Sequence, residues 1–226
     1  MVITIPELFT ELEVREIRAS LEAADWSDGR ATAGHRAVRV KDNEQLPLDD
    51  PLARALADRV LARLSQTPLF IAAALPAKVL QPRFSRYDGR GHYGNHVDNA
   101  IFPIPGTGEH LRSDVSCTVF LSDPDTYDGG DLVIEDMFGR HAIKLPAGYA
   151  VVYPGSSLHQ VAPVTRGVRL ASFFWVQSFV ASAEQRRLLF ELDGAIQAVA
   201  GDHPEHASVD TLTQVYHNLL RQWSQP

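Results

Sequence analysis

The stretch Val115-Ser116-Cys117-Thr118-Val119-Phe120-Leu121-Ser122, followed at once by Asp123-Pro124-Asp125-Thr126-Tyr127-Asp128-Gly129-Gly130, sets the texture on which the fold is read. A short run of β-branched and apolar residues is closed by a cluster of Pro, Asp and Gly, the pattern of a strand ending in a turn. The same texture recurs from Ala77 onward, with candidate strands at Val79–Tyr87, His96–Asn99, Val115–Ser122, Asp131–Glu135, Gly139–Lys144, Tyr149–Tyr153, His159–Val161 and Val168–Val180. Met137–Arg140 reads as a hairpin connection. Short strands following one another over about 100 residues, with no helix between them, predict an antiparallel sandwich or jelly roll rather than a parallel βαβ sheet.

Working outward, both ends of the chain turn helical. A short strand at Val2–Ile5 precedes Thr10, which is placed to cap a helix carrying Leu12, Val14, Ile17 and Leu21, with Glu11 and Glu13 in its first turn. Asp50 and Pro51 open a second helix, Pro51–Ser65, with a stripe of Leu52, Leu56, Val60, Leu61 and Leu64. Between them the mixed-charge segment Gly29–Asp49 holds one candidate strand, Arg36–Lys41. Past Ser182, helical spacing returns at Glu184–Val199 and Val209–Trp223, and the polar link Ala200–Ser208 makes them a hairpin packed on the barrel. The predicted organisation is a mainly β domain with N-terminal helices over 1–180 and a helical appendage over 181–226. The apolar stripe on the last two helices serves either the barrel or a partner chain.

Composition narrows the function. The 226 residues are 45% hydrophobic and carry 21 Lys and Arg against 28 Asp and Glu, a formal charge of −7. That balance excludes disordered and fibrous classes and argues against nucleic acid or an anionic membrane as partner, while leaving room for a local basic pocket. The single cysteine, Cys117, excludes a disulfide scaffold, and its apolar run makes it a buried small hydrophobe rather than a nucleophile. The start of the chain lacks the basic and apolar regions of a signal peptide, and no stretch approaches a membrane span, so a cytoplasmic protein is expected. Nine His beside one Cys point to metal chemistry based on imidazole and carboxylate rather than thiolate.

His96-Val97-Asp98 supplies the first candidates. Positions i and i+2 of a strand face the same side, so both side chains can point into the barrel. His159, on a strand 61 positions later, would complete two imidazoles and one carboxylate on one face of a metal, the set used by non-haem ferrous oxygenases to leave positions open for a chelating cosubstrate and dioxygen. A lone His-x-Asp arises by chance about once in such a chain and decides nothing. Ten residues past His159 comes Arg169, within Arg166-Gly167-Val168-Arg169-Leu170-Ala171. A strand-borne, buried Arg needs an anion, and a dicarboxylate chelating the metal at one end would offer its other carboxylate to that guanidinium.

Three segments carry a family resemblance. Arg83–Ala100, with Arg86-Tyr87-Asp88-Gly89 and Gly94-Asn95-His96-Val97-Asp98, together with Asp128-Gly129-Gly130-Asp131-Leu132 and Tyr153–Arg169, resemble the bacterial PKHD-type hydroxylases, which belong to the iron- and 2-oxoglutarate-dependent dioxygenases related to prolyl and lysyl hydroxylases. The similarity runs through nearly the whole chain. It implies a double-stranded β-helix (jelly-roll, cupin-like) core, ferrous iron on His96, Asp98 and His159, 2-oxoglutarate held by Arg169, and L-ascorbate as reductant of oxidised iron. It also implies hydroxylation, by dioxygen, of a small-molecule or peptidyl substrate with release of succinate and carbon dioxide, in a family often associated with iron acquisition. Tyr87 could donate its phenol to the distal carboxylate of 2-oxoglutarate or serve as a core tyrosine. One departure is Gly155, where a Ser-like residue is expected. Competing readings are a cupin-like metalloprotein, isomerase or hydrolase, and a non-catalytic iron-binding sensor on the same barrel.

Other candidates carry less. His92 reads as a loop histidine near the substrate mouth, and His203 and His206 as a solvated turn. Asp88-Gly89-Arg90-Gly91 lacks the ending of a phosphate loop and reads as a flexible lid. Arg83, Arg86 and Arg90 read as a solvated rim or as an attractor of anionic substrate. His35, His110, His141 and His217 have no partner pattern.

Overall fold

The computed structural model describes residues 1–32, 37–137 and 139–225, without the side chains of residues 32 and 37. His35 and Arg36 lie outside the described residues. Two antiparallel sheets face each other. The larger runs, in spatial order, through Ile3–Ile5, Ala150–Pro154, Val115–Phe120, Arg169–Ser178, Arg83–Tyr87, Glu44–Gln45 and Ser27–Asp28, with Pro76–Val79 also paired to Arg169–Ser178. The smaller runs through Gly139–Ile143, Leu132–Asp136, Leu158–Val161, His92–His96 and Lys41–Asp42. Leu132, Ile134 and Val161 of the smaller sheet pack against Tyr87, Phe120 and Tyr153 of the larger. This is the jelly roll expected from the sequence.

Among the described residues, five helices flank it. Helix α1 (Glu11–Glu22) starts with a capping box between Thr10 and Glu13, and α2 (Pro51–Ser65) with Asp50 accepting from the Leu52 and Ala53 amides. Helix α3 (Pro68–Ala74), whose seven residues are too few to display a helical period, was not legible in the sequence. Val14, Ile17 and Leu21 of α1, Leu56, Val60 and Leu64 of α2, and Phe70 of α3 are buried with Phe84, Cys117, Val119, Val152, Leu170 and Phe174. The helices therefore seal one face of the larger sheet. Helices α4 (Ala183–Asp202) and α5 (Ser208–Trp223) form the expected hairpin. Tyr216, Leu219, Leu220 and Trp223 of α5 pack on a cluster of Leu75, Val180 and Leu189, so this stripe serves the chain itself. Arg186 of α4 donates to the carbonyls of Val180, Ala181 and Asp114, which ties the hairpin to the barrel just before Val115. No described helix is long and apolar enough to cross a membrane.

The structure corrects several boundaries. Val79–Tyr87 splits into Pro76–Val79 and Arg83–Tyr87, which pair with different parts of one long strand. In place of the Arg36–Lys41 strand, Ala37–Val40 form a 3-10 turn that leads into the two-residue strand Lys41–Asp42. The strand expected at His96–Asn99 lies earlier, at His92–His96, so His92 is on a strand rather than a loop. The Asp88–Gly91 turn is fastened to Val164 by hydrogen bonds in both directions, from the Arg90 amide and to the Gly91 carbonyl, an anchored connection rather than a free lid. Gly155 also finds its reason: a Cβ there would sit 2.1 Å from the Ser113 carbonyl oxygen. Its amide donates to the Asp114 carbonyl, locking two backbones in contact. Gly155→Ala is expected to lower stability by about 1–3 kcal/mol through backbone displacement; chemical denaturation checks this, and an unchanged midpoint would contradict the close approach.

Candidate active site

Strand alternation sorts the larger sheet into two chemistries. Along Val115–Phe120, Val115, Cys117 and Val119 join the core under the helices, while Ser116, Thr118 and Phe120 face the other sheet. Along Arg169–Ser178, Leu170 and Val176 go to the helices, and Arg169, Ala171, Phe173 and Trp175 line a cavity between the sheets. Arg83, Ser85 and Tyr87 line the same cavity from the adjacent strand. Burial raises the Cys117 thiol far above its ordinary pKa, which suits an inert hydrophobe.

His96, Asp98 and His159 meet in this cavity, each offering a ligand atom within 4.8 Å of the others. His96 and His159 are directly opposed across the antiparallel pair His92–His96 and Leu158–Val161. Nδ1 of His96 lies 2.8 Å from the Gly94 carbonyl oxygen, and Nδ1 of His159 lies 3.0 Å from that of Ser157. A carbonyl accepts only, so each Nδ1 carries the proton and each Nε2 keeps its lone pair. Both Nε2 atoms lie 3.8 Å from Asp98, one from each carboxylate oxygen. That is too long for hydrogen bonds, yet short enough for a shared ion with bonds of roughly 2.1 Å. Burial, with the neighbouring His159, pushes the His96 pKa down to about 4, which keeps its imidazole neutral at pH 7. Tyr93 stacks on His96 at 3.6 Å between centroids, and Tyr153 meets His159 edge-on at 5.1 Å.

One part of the sequence argument changes here. His96 is the last residue of its strand and Asp98 lies beyond it, so strand alternation does not bring the two together. The Ser116 hydroxyl does the positioning, donating to Asp98 Oδ2 at 2.6 Å. Neither Ser116 nor the flanking Tyr93 was singled out from sequence; each required knowing which strand faces which.

Arg169 is 1% exposed, and its Nε and Nη2 are buried without a hydrogen-bond partner. The guanidinium lies 5.3 Å from the ring centroids of both Tyr87 and Phe120, and Tyr87 is its cross-strand partner. The Tyr127 hydroxyl, also buried without a hydrogen-bond partner, belongs to a ring beside it. Gly130, at φ +67°, makes room for both: a Cβ would lie 2.9 Å from the Tyr127 ring and 3.0 Å from Arg169 Cδ. The Asp128-Gly129-Gly130-Asp131 segment therefore packs directly behind Arg169. An unpaired buried guanidinium costs several kcal/mol, so these donors fit a bound carboxylate.

Among the remaining basic residues the three candidates part company. Arg86 pairs with Glu44 and Asp88, and Arg90 is exposed, both consistent with a solvated rim. Arg83 instead lines the cavity, with its guanidinium 5.1 Å from the Trp175 ring centroid. Lys41, unnoticed in the sequence, is buried in the same wall. His203 and His206 are exposed, and His141 pairs with Asp136 at the surface.

Comparisons with known proteins identify the family. Residues 82–177 match the family model of the 2OG-Fe(II) oxygenase superfamily, and residues 184–225 match the PKHD-type hydroxylase C-terminal domain. In fold the chain is similar to a Pseudomonas putida prolyl-4-hydroxylase (TM-score 0.53, 21% identity, covering 78% of this chain and 92% of that one). It is also similar to a Trichoplax adhaerens prolyl hydroxylase in complex with a hypoxia inducible factor peptide fragment (TM-score 0.56, 15% identity, covering 83% and 86%). The class is thus an iron- and 2-oxoglutarate-dependent dioxygenase. A Parvibaculum lavamentivorans PKHD-type hydroxylase is 59% identical over 224 residues, 99% of each chain. This chain belongs to the PKHD-type hydroxylases, as the motifs led one to expect. Because Cys117 is sealed on the helix side of the sheet, the native protein is expected not to react with a thiol reagent at pH 8, and to yield one thiol per chain only after unfolding; rapid labelling of folded protein would overturn that placement.

Proposed function

We propose that the two imidazoles and the carboxylate of His96, Asp98 and His159 hold the ferrous iron, and that Arg169 holds the distal carboxylate of 2-oxoglutarate. The observation that carries this reading is the convergence of two proton-free Nε2 atoms on one carboxylate, in the same cavity as a buried guanidinium lacking an anion. Borderline nitrogen and hard oxygen donors with no thiolate suit ferrous iron. Bound there, the iron supplies the oxygen chemistry that couples decarboxylation of 2-oxoglutarate, to succinate and carbon dioxide, to hydroxylation of the substrate.

The protein's own residues hold and shield. The Gly94 and Ser157 carbonyls fix the tautomers of the two histidines, and Ser116 fixes the carboxylate rotamer. Tyr93 and Tyr153 restrain the imidazole planes. Arg169 grips the cosubstrate with its charge undiminished by any protein carboxylate, and the Tyr87 ring packs against its guanidinium. The Tyr87 hydroxyl, held protonated by burial, is a donor for the same carboxylate. Ascorbate, which the family resemblance implies, serves as the reductant that restores ferrous iron. A zinc or manganese isomerase on this barrel would have no use for an anion site at Arg169, which favours the oxygenase.

Anaerobic protein given ferrous iron and 2-oxoglutarate is expected to develop a weak visible charge-transfer band, absent in folded His96→Ala or Asp98→Ala; no band in iron-loaded wild type would sink the reading. Arg169→Ala is expected to raise the 2-oxoglutarate requirement at least tenfold, about 1.4 kcal/mol, and an unchanged requirement would remove Arg169 from this role. Ser116→Ala should weaken iron affinity about tenfold or more with the fold intact, measured by competition with a chelator; equal affinity would leave Asp98 positioned by other means.

A further inference from the structure

Arginines elsewhere in this chain show what a firm grip on a carboxylate takes. Arg112 holds Asp114 through Nε and Nη2, at 2.6 and 3.0 Å, and Arg166 holds Asp128 through the same two nitrogens, at 2.7 and 3.0 Å. In both, Nη2 also reaches a second acceptor behind the fork, the carbonyl of Ser178 at 3.5 Å for Arg112 and that of Asp125 at 3.4 Å for Arg166. A guanidinium has five N–H donors and a carboxylate fork takes two, so an acceptor behind the fork restrains the plane in which the gripping donors point.

Arg169 offers the same two nitrogens for a fork, but among the described residues no backbone carbonyl accepts from them. The Tyr87 and Phe120 rings flank the guanidinium; Phe120 carries no polar side-chain atom, and the Tyr87 hydroxyl is already assigned to the cosubstrate. Tyr127 is the neighbour left over. Gly130 packs against both residues, since a Cβ there would crowd the Tyr127 ring and Arg169 Cδ together. The Tyr127 side chain is wholly buried, and its hydroxyl has no hydrogen-bond partner either. The charge of Arg169 is close enough to act on that phenol, although burial has the larger effect and keeps the hydroxyl protonated.

Tyr127 is itself held in place. Lys144 donates to the Tyr127 carbonyl at 2.7 Å and sets its ammonium 4.1 Å from the ring centroid, so one side chain restrains both the backbone and the ring. Buried donors and a buried hydroxyl left unpartnered side by side are each costly, and a small approach of the guanidinium to the phenol oxygen relieves both. Tyr127 is not among the residues that line the cavity, so it reaches the cosubstrate through Arg169.

We propose that Tyr127 is a positioning residue for cosubstrate recognition: its hydroxyl oxygen accepts an N–H from the Arg169 guanidinium and so holds the remaining N–H donors toward the distal carboxylate of 2-oxoglutarate. The phenol takes the place behind this fork that the Ser178 and Asp125 carbonyls take behind the other two. This assignment rests on the placement of 2-oxoglutarate given above and adds the residue that supports its anchor.

The test uses full-length protein loaded with Mn(II), which blocks turnover, and compares 2-oxoglutarate with 2-oxopentanoate. The second ligand keeps the chelating end and the five-carbon chain and lacks only the distal carboxylate. Both are titrated calorimetrically into wild type, Tyr127→Phe, Arg169→Ala and the double variant. In Tyr127→Phe the Kd of 2-oxoglutarate is expected to rise about tenfold, about 1.4 kcal/mol, while that of 2-oxopentanoate stays at the wild-type value. In the double variant, 2-oxoglutarate should bind as it does to Arg169→Ala alone, because a residue acting through Arg169 has nothing left to act on. The hydroxyl makes no hydrogen bond within the chain, so its removal should leave the unfolding midpoint unchanged, where loss of a structural bond would lower it. An unchanged 2-oxoglutarate Kd in Tyr127→Phe, an equal rise for both ligands, or a further loss in the double variant overturns the proposal and leaves the role of Arg169 intact. Undiminished 2-oxoglutarate binding in Arg169→Ala overturns the cosubstrate placement and the proposal with it.

Discussion

The antiparallel pairing that sets His96 opposite His159 is the constraint on which the rest of the site depends. Cross-strand neighbours are held by backbone hydrogen bonds, so two imidazoles arrive in one place with no flexible loop between them. Each ring is then fixed by a carbonyl two residues before it, Gly94 for His96 and Ser157 for His159, and both Nε2 atoms are left as acceptors aimed at Asp98. A neutral imidazole with a lone pair is a ligand, and an imidazolium is not. Burial keeps the His96 ring neutral, so the same packing that shields the site also prepares it for a metal.

The larger sheet works because its two faces carry opposite chemistries. One face is sealed by α1, α2 and α3 and is almost wholly apolar; the other presents Arg83, Ser85, Tyr87, Ser116, Thr118 and Arg169 to the cavity. Period-two alternation lets one strand serve both, which is why Val115–Phe120 is buried along its whole length and still contributes Ser116 to the site. Burying Arg169 in that cavity is unfavourable in isolation, a cost that the proposed cosubstrate carboxylate would offset.

Much of this was legible in the sequence, for identifiable reasons. Short β-rich runs closed by Pro, Asp and Gly gave the jelly roll, and Thr10 and Asp50 with their apolar stripes gave α1 and α2. His96, Asp98, His159 and Arg169 were found because metal ligation and anion binding demand particular residue types, and because the surrounding motifs resemble one family. What escaped depends on contacts distant in the chain. Ser116 looks like any strand serine until Asp98 is seen 2.6 Å away, and Lys41 looks like a surface lysine until a two-residue strand carries it against Tyr93. Arg83 could not be told from Arg86 by composition; only pleat direction, inward for one and outward for the other, separates them. Gly155 was read as a departure and is instead required by the Ser113 carbonyl.

The most direct test of the central claim is a crystal structure of the protein with Mn(II) and 2-oxoglutarate. The account requires the metal on Nε2 of His96, Nε2 of His159 and the Asp98 carboxylate, with the distal carboxylate of 2-oxoglutarate on Arg169. A metal bound elsewhere, or 2-oxoglutarate lying with its distal carboxylate on Arg83, would contradict it.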